Sequence, residues 1–214
     1  MDLDLDDLVK LFDRIGIVAF AISGVEVGVR KRLDVFGLLV MGVITATGGG
    51  LFRDLILGVT PFVIEHDDYL LWAVGSSVVA IAIAWNERTI PRPLLATADA
   101  VGLGAFAAAG ALAAIGADLA LPSVVLLAIV TATGGGVLRD LMAARVPLVL
   151  RAEVNASAAA AGGLVVYLLE PASLGWAALA GALTAALIRI VTIALDIHLP
   201  IPGAHREGRQ RRLL

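Results

Sequence analysis

The sequence predicts an all-α membrane protein of seven transmembrane helices, arranged as two inverted three-helix repeats followed by a seventh helix. Three observations lead there. Apolar residues fill 59% of the 214 positions, charged residues only 16%, and mean hydropathy is +0.94, whereas soluble domains are about one quarter charged. Long apolar stretches alternate with short charge clusters. A block reading Thr-Ala-Thr-Gly-Gly-Gly-x-x-Arg-Asp occurs twice, at 45–54 and at 131–140.

A membrane-crossing helix needs roughly 20 mostly apolar residues. The stretches that approach this run over 12–29, 36–58, 69–85, 95–116, 121–143, 155–170 and 176–195, the third and sixth being short and rich in Ala and Gly. The first follows an acidic start, Met1 to Asp7, and a cleaved signal peptide would want a basic one. The second and fifth carry the repeated block.

Charge alternates between the connections. Those after the first, third and fifth stretches hold Arg30, Lys31 and Arg32, then Arg88 and Arg92, then Arg145 and Arg151; the tail adds Arg206, Arg209, Arg211 and Arg212. The others hold Glu65, Asp67 and Asp68, then Asp118, then Glu170. Lys and Arg in short loops favour the cytoplasmic side. Seven spans, with the N-terminus outside and the C-terminus inside, put every basic segment on that side of a cell inner membrane.

Shifting the chain by 86 residues superimposes its halves without a gap: Asp13 falls on Asp99, Phe20 on Phe106, Gly24 on Gly110, Arg53-Asp54 on Arg139-Asp140 and Pro61 on Pro147. Between Asp13 and Pro61, 17 of 49 positions are identical. An odd number of spans per unit makes the second unit enter from the opposite face. The expected organisation is therefore one membrane domain: inverted repeats at 8–92 and 93–173, a seventh helix at 174–198 and a basic tail at 199–214. Broken helices in inverted repeats commonly build a substrate or ion site near the midplane.

The block is suited to such a site. Each Gly inside a helix costs roughly 1 kcal/mol relative to Ala, so a kink or unwound turn is expected at Gly48, Gly49 and Gly50 and at Gly134, Gly135 and Gly136. Freed backbone groups survive in a membrane only against protein or a watery cavity. Thr45, Thr47, Thr131 and Thr133 add hydroxyls, and the carbonyl end of a half-helix is partially negative, a cation site. Asp54 and Asp140 favour the positive end of the next half-helix. Arg53 and Arg139 are costly at this depth and must face protein or water. The plainer alternative is a close-packing glycine surface with Arg-Asp as a structural ion pair; duplication of the whole block favours the site.

Asp13 and Asp99 open corresponding stretches, as helix-start residues or as pore-mouth carboxylates. Glu26 near an inner end can snorkel, and Arg189 on the seventh stretch is an interfacial anchor or a pathway or lipid contact. His66, His198 and His205 fall in a loop or the tail, where solvation is expected. The chain has no Cys, hence no thiolate chemistry or Cys-based metal site. It has no HExxH, GxSxG or Walker-type loop. An enzyme, a metal centre, a cofactor and a nucleic-acid partner are not expected.

The doubled Gly-Gly-Gly-x-x-Arg-Asp, on the second and fifth of seven spans, resembles the prokaryotic trimeric intracellular cation (TRIC) channels over about residues 10–198; the same sequence family also carries a glycine-transporter label. The resemblance implies a homotrimer embedded in membrane lipids, each protomer with its own pore permeable to K⁺, Na⁺ and other monovalent cations. It implies helices kinked at Gly48 to Gly50 and Gly134 to Gly136, with Arg53, Asp54, Arg139 and Asp140 in the pore region. A secondary transporter for a small zwitterion such as glycine, or another carboxylate, is the alternative that inverted repeats suit equally.

Overall fold

The computed structural model describes residues 4–85, 91–150 and 154–197, the side chains of 92–94 excepted. The expectations for Arg88, Arg151, His198, His205, the Arg92 side chain and the tail 199–214 lie outside the described residues.

Eight α-helices form among the described residues: α1 (Leu5–Arg30), α2 (Val35–Leu57), α3 (Phe62–Glu65), α4 (Asp67–Trp85), α5 (Arg92–Gly116), α6 (Leu121–Met142), α7 (Asn155–Leu169) and α8 (Leu174–Ala194). A 3₁₀ turn spans Leu148–Leu150. The count of seven thus gains a four-residue helix in the loop after α2. Five helices, namely α2, α4, α5, α6 and α8, are long and apolar enough to cross a membrane. The other two long helices fall short for separate reasons. Lys10, Asp13, Arg14 and Glu26 interrupt α1, and α7 has 15 residues.

Local chemistry sets the ends. The Asp4 carboxylate accepts from Asp7 N–H at 2.8 Å and Asp34 from Gly37 N–H at 2.7 Å, capping α1 and α2. Because Asp4 starts α1 two turns early, Asp13 lies inside the helix, and Asp99 likewise lies inside α5. The helix-start reading of both residues is thereby overturned. Glu26 does not snorkel: it is buried and pairs with Arg30 at 3.0 Å.

Packing follows the 86-residue offset. Helices α1, α2 and α4 pack on one another, as α5, α6 and α7 do; the two groups meet through α1 on α5 and α2 on α6. Helix α3 rests on α2 and α4, as the 3₁₀ turn rests on α6 and α7. Helix α8 packs on α5 and α7 and has no counterpart. The contacts between groups are reciprocal. Phe20 and Phe106 meet edge to face at 5.2 Å; the Phe106 ring covers Gly16, and the Phe20 ring covers Gly102. Contacts that exchange matched residues define a local twofold axis.

Both Gly-Gly-Gly runs are continuous α-helix, so the unwound turn expected there is not formed. The missing side chains serve close approach instead. A Cβ at Gly49 would overlap the Thr131 carbonyl oxygen, and one at Gly135 the Thr45 carbonyl oxygen. Small residues that bring backbones together are a main source of helix association in membranes. The outer surface is apolar where water would demand charge: Leu71, Trp85 and Trp176 are each at least 70% exposed.

The third glycine of each run is different. A Cβ at Gly50 meets only Arg53 Nη2 at 3.8 Å, and one at Gly136 only Arg139 Nη2 at 3.7 Å. Gly49→Ala should therefore destabilise the fold by about 1–3 kcal/mol or more through overpacking, while Gly50→Ala should be neutral or stabilising by up to about 1 kcal/mol. Thermal melting of the purified protein in detergent separates the two; equal losses would remove the packing account of the crossing.

Candidate functional site

One turn past each glycine run, an arginine is enclosed by carboxylates. Arg53 is 1% exposed. It donates from Nη1 to Asp13 on α1 at 2.9 Å and from Nε to Asp54 at 2.8 Å. Its guanidinium sits 5.2 Å from the centre of the Phe62 ring, a cation–π contact. Asp54 also accepts the Phe62 backbone N–H at 2.9 Å, which ties α3 to the end of α2.

The second cluster repeats the plan on matched residues. Arg139 donates from Nη1 to Asp99 on α5 at 2.9 Å and from Nε to Asp140 at 3.3 Å. Asp140 accepts the Leu148 backbone N–H at 3.0 Å, and Leu148 is the residue 86 positions after Phe62. Two additions distinguish it. The Ser23 hydroxyl reaches over from α1, accepting from Arg139 and donating to Asp99 at 3.1 Å. Arg145 donates to Asp140 at 2.8 Å.

Each cluster closes a cavity of about 20 Å³, room for about one water-sized group. The twelve residues lining the first correspond one for one, at the 86-residue offset or by exchange of Phe106 for Phe20, to the twelve lining the second. Thr47, Gly50, Arg53 and Asp54 line one, Thr133, Gly136, Arg139 and Asp140 the other, with Asp13 and Asp99 at matching places.

The candidate residues therefore separate into two sets. Thr45 and Thr131 are fully buried, donate to the Met41 and Leu127 carbonyls at 2.6 and 2.7 Å, and line neither cavity. Gly48, Gly49, Gly134 and Gly135 sit at the helix crossing, as the plainer close-packing alternative has it. Thr47 and Thr133 bond their own helix carbonyls, at 2.9 and 2.8 Å, yet face the cavities. Arg189 is buried on α8 and lines neither cavity.

Several residues of the clusters escaped the sequence analysis. Tyr69 and Asn155 line the first and second cavities, each with a buried polar atom that has no hydrogen-bond partner: the Tyr69 hydroxyl and Asn155 Oδ1. They too are 86 residues apart, so a polar residue on each matched apolar stretch was a usable signal. His66, expected to be solvated, is half-buried, with its ring against Phe62 and Tyr69 at 5.5 and 6.1 Å. Ser23 has no such signal, because its match is Ala109.

Removing one member of a buried ion cluster leaves charge uncompensated, at a cost of about 3–5 kcal/mol. Arg53→Met should lower the melting temperature markedly. Arg139→Met should cost less, because Asp140 keeps Arg145 and the Asp99 side chain is 16% exposed against 3% for Asp13. Melting curves that rank the two variants in the opposite order would contradict this assignment of charges.

The likeness to known proteins spans both clusters. The family described as Glycine transporter matches at residues 10–85 and again at 96–171, one match per unit. The chain is similar to the UPF0126 inner membrane protein YadS of Escherichia coli (strain K12), 35% identical over 206 residues that cover 94% of this chain and all of that one. Its structure is similar to the TRIC trimeric intracellular cation channel orthologue from Rhodobacter sphaeroides, with a TM-score of 0.81 and 33% identity over 88% of this chain and 98% of the other. A prokaryotic TRIC channel crystallised in 0.5 M KCl gives a TM-score of 0.82 and 37% identity, over 88% and 96%. Both structural neighbours are TRIC channels. The chain belongs to the membrane-protein family described as Glycine transporter, and it has the fold of the prokaryotic TRIC channels.

Proposed function

We propose that this protein is a K⁺-permeable channel for monovalent cations, with one pathway per protomer running from the first cavity, past the crossing of α2 and α6, to the second. The observation that carries the reading is the pair of matched cavities, each lined by a threonine, the third glycine of a run and two carboxylates. Hydroxyl, carboxylate and helix carbonyl oxygens can replace part of a cation's hydration shell. Likeness to TRIC cation channels at 33–37% identity supports it.

In this reading Gly50 and Gly136 leave room in the path, and the glycine runs let α2 and α6 bend where a rigid rod would block it. Arg53 and Arg139 narrow the path. Seven helices span the bilayer as inverted units 8–92 and 93–173 plus a seventh at 174–198, and the tail 199–214 is cytoplasmic with the N-terminus outside. The protein assembles as a homotrimer in the cell inner membrane, among lipids that cover its apolar exterior.

The family's description favours one rival, a carrier in which Arg53 or Arg139 holds the carboxylate of glycine. Flux into liposomes loaded with purified protein decides. K⁺ and Na⁺ should pass well above the rate of empty vesicles, without saturation, and Asp54→Asn or Asp140→Asn should change the K⁺ rate several-fold. Absence of K⁺ flux, with saturable glycine counterflow in its place, would transfer the function to the carrier.

A further inference from the structure

The two clusters share a plan but not a charge. Arg53 faces Asp13 and Asp54, a formal −1. Arg139 faces Asp99 and Asp140 with Arg145 added, a formal 0. The difference traces to one position. Arg145 corresponds at the 86-residue offset to Val59, and the two occupy the same place in their turns. Each backbone N–H bonds back to the cluster aspartate's carbonyl, Val59 to Asp54 at 3.1 Å and Arg145 to Asp140 at 2.9 Å. Each follows a residue in the left-handed region, Gly58 at φ 70° and Ala144 at φ 51°. The backbones agree here, so the difference in charge is carried by this side chain.

Arg145 alters the second cluster in two ways. It shares the Asp140 oxygen that Arg139 uses, and the Arg139–Asp140 contact is 3.3 Å where Arg53–Asp54 is 2.8 Å. It also faces the way in. Arg145, Arg30, Arg139, Asp99 and Ser23 line a cavity of about 220 Å³ beside the cluster, and the Arg145 side chain is 40% exposed. Val59 is 48% exposed at the other end, so neither side chain is held by a core.

We propose that Arg145 sets the direction in which cations pass most easily, by cancelling at the second cluster the negative charge that the first cluster keeps. A mouth of one sign concentrates the opposite ion, and conduction rises with occupancy as long as binding stays weak. Cations are therefore enriched at the first cluster and not at the second. Current is larger when they enter through the first. Under the orientation proposed above, the first cluster faces outside and the larger current is inward. This inference rests on the channel reading.

Single-channel currents in planar bilayers test it, in symmetric KCl of about 0.1 M, where the Debye length is about 10 Å. At equal voltages of opposite sign the wild-type currents should differ by about twofold, the change in occupancy that one unit charge several ångströms away produces in a watery mouth. Arg145→Gln should bring the ratio near one, and Arg145→Lys should keep it. The exchange Val59→Arg with Arg145→Val should reverse its sense, and about 1 M KCl should shrink it. A wild-type channel with equal currents in both directions, or a ratio that Arg145→Gln leaves unchanged, would overturn the role of Arg145 while the channel stands. A protein that passes no K⁺ in either direction would overturn the channel reading and this inference with it.

Discussion

A guanidinium enclosed among apolar helices has to be neutralised, and this constraint organises the protein twice. A charge at the centre of a membrane helix costs from about 2.5 kcal/mol to well above 10, depending on the reference. Neither Arg53 nor Arg139 is offset by its neighbouring aspartate alone. Each takes a second carboxylate from the helix that begins its unit, Asp13 on α1 or Asp99 on α5. That requirement fixes how α2 lies against α1 and α6 against α5. Through the Asp54 and Asp140 carboxylates it also fixes where the next segment turns, since each accepts the backbone N–H eight residues on.

The glycines answer a separate demand. Helices α2 and α6 cross closely, and any side chain at Gly49 or Gly135 would press on a backbone carbonyl of the opposite helix. The first two glycines of each run meet this demand and the third does not. Gly50 and Gly136 face the cavities instead, so one tripeptide combines contact and space on adjacent faces of one helix. The buried threonines before the runs belong with the contact: the Thr131 carbonyl meets Gly49 and the Thr45 carbonyl meets Gly135.

Duplication supplies the symmetry, and later divergence makes the two ends differ in charge. Phe20 and Phe106 still meet across the local twofold, and the twelve matched cavity positions show how little the interior has drifted. One change sits at an exposed rim, Val59 against Arg145, whereas Ser23 against Ala109 and Tyr69 against Asn155 are changes among buried residues.

The sequence by itself determined the helical membrane class, the 86-residue repeat and the identity of the two Arg-Asp pairs, because these are matters of composition and spacing. It also placed the seven long helices to within a few residues, apart from the first. There Asp4 caps α1 seven residues before the apolar run begins, and a cap is chosen by local hydrogen bonding that hydropathy does not register. Only the tertiary structure decided which carboxylates face the arginines, that the glycine runs stay helical, and that Thr47 and Thr133, unlike Thr45 and Thr131, line the cavities. The reason is geometric. Two threonines two residues apart point to different sides of a helix, and which side faces a cavity depends on where the other repeat lies.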